Sequence, residues 1–243
     1  MTRVVANSNH NSGPGVSIIL PVCNQSDHIG QALGGYGKWM EHFDGDVEFL
    51  LVVNGSTDAS IDICRGIAER DQRFIVIEQS QAGWGRAVRT GFDASRGRVI
   101  CYTNTARTSP HTLLTFLVMG MERPAYLHKA NRRLRYPITR RLGSVLYNIE
   151  CRSLFELASW DINGTPKIIG REHFERLALV EDGDLLDLEV IVKCEQLGIQ
   201  TIDLPVVSTQ RFGGKSTTGF RSALRLYAGA FRRSRDRSWF VKD

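Results

Sequence analysis

Four short runs of aliphatic and β-branched residues, VSIILPV (16–22), VEFLLVV (47–53), RFIVIEQ (73–79) and RVICYT (98–103), recur along the first hundred residues, and the stretches between them have helical periodicity. Behind Ser26 or Asp27, read as a cap, Ile29, Leu33, Tyr36, Met40 and Phe43 return at helical spacing. The turn Asn54-Gly55-Ser56-Thr57-Asp58 leads into a helix to about Arg70, and GRAVRTGFDAS forms another. This βαβαβαβ alternation predicts a doubly wound, mostly parallel sheet with helices on its faces. The fourth strand breaks off in Asn104-Thr105-Ala106, with a further helix starting at Ser109-Pro110. In an α/β sheet that is the end where ligands bind.

After Pro124 the rhythm changes to a long basic helix around 137–157, a short strand PKIIG, a helix ending near 198 and a last strand, IQTIDLPVV (199–207). The expectation is one continuous domain over 15–218, its second half (109–218) covering an edge of the sheet built by 15–108. A loose tail (1–14) precedes it and a basic amphipathic helix and tail (219–243) follow. An apolar content of 42% supports a sizeable core. No run approaches the roughly 20 apolar residues of a membrane span, and the start lacks the apolar segment of a secretory signal. Cysteines 23, 64, 101, 151 and 194 lack the close pairing of a zinc site and read as reduced residues of a cytosolic protein.

The net charge of +5 is concentrated in HKANRRLRYPITRR (128–141) and FRSALRLYAGAFRRSRDR (220–237), each either a solvated basic face or a contact for an anionic partner. In the second cluster Phe220, Ala223, Leu224, Tyr227 and Phe231 form one stripe and Arg221, Arg225 and Arg232 occupy the rest. Such a helix suits an anionic membrane interface, and equally packing on its own domain or on a second subunit as a homodimer. No motif supports nucleic-acid binding. GWGRAV (83–88) lacks the third glycine of a dinucleotide fingerprint and the later acidic residue, so no dinucleotide site is expected.

Taken in order, PVCNQ (21–25), VNGSTDAS (53–60), GWGRAVRTGF (83–92) and TNTA (103–106) resemble the nucleotide-sugar half of family 2 glycosyltransferases, with their P-V-Y-N-E, D-D-G-S-T-D, G-x-G-x-A-x-x-x-G and D-x-D motifs. SWDINGTPKIIGREHF (159–174), DGDLLDLEVIVKCEQLG (182–198) and DLPVVSTQRFGGKST (203–217) resemble the acceptor half of the branch with dolichyl-phosphate mannose synthase and bacterial polyprenyl-phosphate glycosyltransferases. The resemblance implies a GT-A fold, a UDP- or GDP-sugar donor, a lipid-phosphate acceptor and a place at the inner face of the membrane. It assigns Pro21, Cys23, Gln25, Asn54, Gly55, Gly85, Asn104 and Arg107 to the nucleotide sugar. Asp161, Lys167, Arg211, Lys215 and Ser216 fall to the diphosphate or acceptor, and Asp187 and Glu189 to catalysis.

Most of the chain's departures from the pattern are losses of charge. Cys23 and Gln25 replace the motif's aromatic and Glu, Val53 and Asn54 its acidic pair, and Asn104 and Ala106 the two metal-binding aspartates. Asn54 keeps a side-chain carbonyl for a base N–H, without the charge that strengthens such a bond. A hard cation wants anionic oxygens, so Mg²⁺ or Mn²⁺ is disfavoured and no cofactor is expected. The cations Arg107, Arg211 and Lys215 are candidates to take over its electrostatic task. Asp187 is the candidate base, since a two-residue spacing turns Glu189 to another face of a helix; a structural cap or salt bridge is the alternative. Asp161 and Lys167 either approach the acceptor or pair with each other, and Arg132, Arg133 and Arg135 either meet an anionic acceptor or face solvent. The competing expectation is a silent binding or scaffolding protein that kept the fold.

Overall fold

The computed structural model describes residues 4–5, 14–134, 138–207, 212–213, 220–236 and 239–240. Its strands are β1 (Val4–Val5), β2 (Val16–Val22), β3 (Phe43–Asp44), β4 (Val47–Asn54), β5 (Phe74–Gln79), β6 (Val99–Tyr102), β7 (Leu127–Leu134), β8 (Lys167–Gly170) and β9 (Thr201–Val207). The helices are α1 (Ile29–Trp39), α2 (Ser60–Ala68), α3 (Trp84–Ala94), α4 (Pro110–Glu122), α5 (Ile138–Phe155), α6 (Arg171–Arg176), α7 (Leu186–Gln196) and α8 (Phe220–Arg233). β1 and β3 form a small parallel pair, and the other strands one sheet in the order β5-β4-β2-β6-β8-β7-β9. All its neighbours are parallel except around β8, which runs antiparallel to β6 and β7.

The unbroken apolar runs of β2 and β4 follow from burial on both faces. Ile18, Leu20, Phe49 and Leu51 turn to one core beside Leu33, Tyr36 and Phe116. Ile19, Leu50 and Val52 turn to the other beside Val88, Leu188 and Ile191. Pro21, which has no N–H to donate, sits in β2 beyond the last residue of that strand paired with β6, Ile19. Ser109 caps α4 as read, its hydroxyl accepting from the Thr112 N–H at 3.1 Å, with Pro110 in first position.

Three sequence expectations are corrected. Neither Ser26 nor Asp27 caps α1: the Gln25 carbonyl accepts from the N–H groups of His28 (3.1 Å) and Ile29 (2.9 Å). The basic cluster from 128 begins as a strand, His128 and Lys129 being wholly buried within β7, with His128 Nε2 against the Arg123 carbonyl and Lys129 paired with Asp203 of β9. The second half does not merely cover the sheet but continues it past β6 with three strands. One cross-sheet row then reads Ile75, Leu50, Ile19, Tyr102, Lys167, Lys129 and Asp203, apolar at one end and charged at the other.

Helix α8 packs on α5 of its own domain: Tyr147 and Tyr227 meet edge to face at 5.6 Å, and the Tyr227 hydroxyl donates to the Gly143 carbonyl at 2.7 Å. Leu224 and Phe231 stay exposed there, as do Val145, Leu146 and Ile149 on α5.

Candidate active site

At the carboxyl ends of β2, β4 and β6 the chain is stitched by short polar bonds. The Thr57 N–H donates to Asn24 Oδ1 (2.8 Å), the Gln25 N–H to Ser60 Oγ (2.8 Å), and the Ser26 N–H to Asp58 Oδ2 (3.0 Å). Burial acts to raise the Asp58 pKa, but hydrogen bonds from Ser60 and Ser26 outweigh it and hold the carboxyl far below its ordinary range. Gly55 is required here, since its φ is +57° and a side chain would run into Ala82. Cys23 is half-buried at this edge, its thiol pushed up by burial and by Asp58.

Two residues assigned to the donor are spent on the protein itself. Asn54 donates to the Val22 (3.0 Å) and Val52 (3.1 Å) carbonyls, and its own carbonyl accepts from the Gly83 N–H at 3.1 Å rather than awaiting a base. Gln25 donates to the Pro21 carbonyl at 3.3 Å and accepts from the Thr105 hydroxyl at 2.5 Å. Gly85 also has another role: its N–H donates to the Gly183 carbonyl (3.1 Å), the Arg86 N–H donates to the Asp182 carbonyl (2.9 Å), and a Cβ at Gly85 would lie 2.4 Å from the Glu181 carbonyl. The start of α3, where a dinucleotide protein receives pyrophosphate, is therefore closed by backbone from the second half. Arg86 and Arg89 clamp Asp182 over the same junction at 3.1 and 2.6 Å.

At the end of β6, Asn104 Oδ1 accepts from the Ala106 N–H at 2.9 Å, and its main-chain carbonyl accepts from the N–H groups of Arg107 (3.2 Å) and Thr108 (3.1 Å). The Ala106 methyl is wholly buried. Among the described residues no group of three His, Cys, Asp or Glu side chains could hold a metal ion. The Phe212 N–H donates to the Ala106 carbonyl at 2.8 Å, and Gly213 lies against His28, so this pair of residues sits at the strand end. Arg211, Lys215 and Ser216, which flank that pair, lie outside the described residues, as does Arg135.

The charged end of the cross-sheet row forms a second cluster. Tyr102 ends β6, Lys167 begins β8 in register with it, and α7 lays Asp187 over both. Asp187 Oδ1 pairs with Lys167 Nζ and accepts from the Tyr102 hydroxyl at 3.1 Å. Next to Lys167, Lys129 pairs with Asp203 Oδ1 at 2.7 Å and donates to the carbonyls of Trp160 and Asp161. Arg132 grips Asp161 with two bonds of 2.7 and 2.8 Å. The Asp161–Lys167 pair considered from the sequence is thus replaced by Arg132–Asp161 and Lys167–Asp187. Burial pushes Lys167 down to about 8, with Asp187 acting in the other direction, and lowers Lys129 against the pull of Asp203.

The carboxylates here differ in what remains of them. Asp161 is held at both oxygens by Arg132. Asp203 receives Lys129 and Ser159 on Oδ1 and the Trp160 N–H on Oδ2. Glu189, assigned to catalysis from the sequence, is wholly buried, pairs with Lys193 at 2.7 Å and accepts from the N–H groups of Val180 and Glu181, which makes it a fastener for that loop. Asp187 alone of the four has an oxygen, Oδ2, with no hydrogen bond from the described residues. Tyr102, Lys129 and Asp203 were not found from the sequence; Tyr102 lies inside an apolar strand and the other two read as surface charge.

Residues 17–149, more than half of the chain, match the model of glycosyl transferase family 2. An uncharacterised glycosyltransferase of Mycobacterium tuberculosis is 25% identical over 209 residues, 84% of this chain and 90% of the relative. An undecaprenyl-phosphate 4-deoxy-4-formamido-L-arabinose transferase of Pseudomonas syringae is 36% identical over 87 residues, 35% of this chain and 26% of the relative. Among solved structures, glucosyl-3-phosphoglycerate synthase of M. tuberculosis with UDP superposes with a TM-score of 0.67 at 17% identity, covering 96% of this chain and 82% of that one. A mannosyltransferase of Pyrobaculum calidifontis with GDP-mannose and Mn²⁺ superposes with a TM-score of 0.60 at 18% identity, covering 92% of this chain and 61% of that one. On the family match and the shared architecture, the chain belongs to glycosyl transferase family 2, the nucleotide-sugar transferases, and has their GT-A fold.

Proposed function

We propose that this protein transfers a sugar from a UDP- or GDP-sugar to an acceptor hydroxyl in one inverting displacement, with little or no dependence on a divalent ion. The observation that carries the reading is the open Oδ2 of Asp187, beside a strand end that places Asn104 two residues after Tyr102. In the step, the acceptor oxygen bonds to the anomeric carbon, the bond from that carbon to the diphosphate breaks, the nucleoside diphosphate leaves, and the acceptor proton passes to Asp187. A divalent ion would neutralise charge growing on the diphosphate. The residues at 104–106 do not fit one: Asn104 Oδ1 is turned onto the Ala106 N–H, and position 106 offers a buried methyl. Arg107, with Arg211 and Lys215, near in sequence to Phe212, is the charge this reading puts in its place.

The test is sugar transfer from a panel of UDP- and GDP-sugars, with Mn²⁺, with Mg²⁺ and with EDTA. Turnover that survives EDTA is expected; strong, EDTA-sensitive stimulation by either metal would remove the metal-independent part of the reading. The internal use of Gln25 and Asn54 favours a second reading, a scaffold that no longer holds a nucleotide. Calorimetry separates the two, because a scaffold binds neither UDP nor GDP at millimolar concentration. A polyprenyl phosphate is the alternative acceptor, supported by the partial likeness to the undecaprenyl-phosphate transferase and by the exposed apolar residues of α5 and α8. It arrives already anionic and has no proton to give, which sets it against the role of Asp187.

A further inference from the structure

We propose that Tyr102 and Lys167 are positioning residues: they hold Oδ1 of Asp187 from one rigid platform and so leave Oδ2 as the oxygen that takes the acceptor proton. This rests on the reading of Asp187 as the base. The platform is two hydrogen-bonded strands: Tyr102 and Lys167 are register partners, so their side chains rise on the same face, and both are essentially without exposure. The Trp84 ring packs edge-on against Tyr102 at 6.3 Å and restricts the phenol further. Two donors on one carboxylate oxygen fix the torsion of the group as well as its place, which loops would do less well. Burial and the nearby Asp187 carboxylate hold the Tyr102 hydroxyl well above its ordinary range, so it stays a donor at any working pH.

The protein used is the full chain, and the probes are UDP-glucose and GDP-mannose, with water, glycerol and methyl hexosides as acceptors; released UDP or GDP is the readout. Asp187→Asn tests the underlying reading and is expected to lower turnover at least ~100-fold. Tyr102→Phe, which keeps the ring, is expected to lower kcat about tenfold while KM for the donor stays within about twofold. Lys167→Arg should keep more activity than Lys167→Met, a rescue that a merely structural role would not show in kcat alone. If Asp187→Asn is inactive and Tyr102→Phe retains full kcat, the positioning role is overturned and the base stands. If Asp187→Asn is as active as the parent, both fall. Crystal structures of the parent and Tyr102→Phe proteins decide the matter independently of turnover: the Asp187 carboxylate rotates in the variant if the inference holds, and an unchanged orientation overturns it.

Discussion

At the scale of single residues, the charged cluster around Lys167 and Lys129 is largely withdrawn from water, so its members depend on one another. Lys167 is wholly buried and Asp187 nearly so, and breaking a buried pair by removing one partner leaves the other uncompensated. Lys167→Met is expected to cost about 3–5 kcal/mol in denaturant unfolding. The pair also ties turnover to pH. Burial sets Lys167 at about 8, so above that pH it loses its proton and Asp187 its charged partner. A fall in kcat through about pH 8 is expected, and Lys167→Arg should displace or abolish that limb, because arginine does not titrate there. The stability effect has the opposite sense. A lysine whose folded pKa is depressed holds fewer protons folded than unfolded between the two values, so its unfavourable contribution, full below about 8, is relieved as pH rises toward 10.5.

At the scale of elements, the first half of the fold was legible because β2 and β4 are short unbroken apolar runs, as burial on both faces requires, and the helices between them repeat their apolar residues at period 3.6. β7 was not, because LHKANRRL has the composition of a solvated run and its burial depends on partners far off in sequence: Asp203 for Lys129, Asp161 for Arg132. The same cause hid half of the site. Family motifs pointed to Asp187 and Lys167 but could not pair them, and nothing local marks Tyr102 as more than a strand residue. GWGRAV was read as no dinucleotide site from its missing third glycine, and nothing in the sequence signalled that the 181–183 backbone closes the start of α3. That junction yields a prediction about element packing. Gly85→Ala places a methyl against the Glu181 carbonyl and is expected to lower stability by about 1–3 kcal/mol, seen as a lower Tm, with activity falling because the same loop is fastened to α7 by Glu189.

At the scale of the whole molecule, one sheet carries two polar clusters side by side, one at the ends of β2, β4 and β6 and one across β6, β8, β7 and β9, which the proposed function assigns to donor and acceptor. Among the described residues no helix is long and apolar enough to cross a membrane. The outer face of α5 and α8 still exposes Leu146, Ile149, Leu224 and Phe231, with exposed Arg225 and Arg232 beside them. If the lipid-phosphate reading holds, the protein sediments with vesicles containing phosphatidylglycerol, and Leu224→Ser with Phe231→Ser weakens that binding several-fold; equal sedimentation of parent and variant would remove this face from the argument. The bond from Phe212 to Ala106 limits what position 106 can hold. With the methyl at 106 sealed in and its carbonyl engaged by the Phe212 N–H, a carboxylate placed there would enter space already filled, so a single change at 106 cannot add an ion ligand without displacing its surroundings.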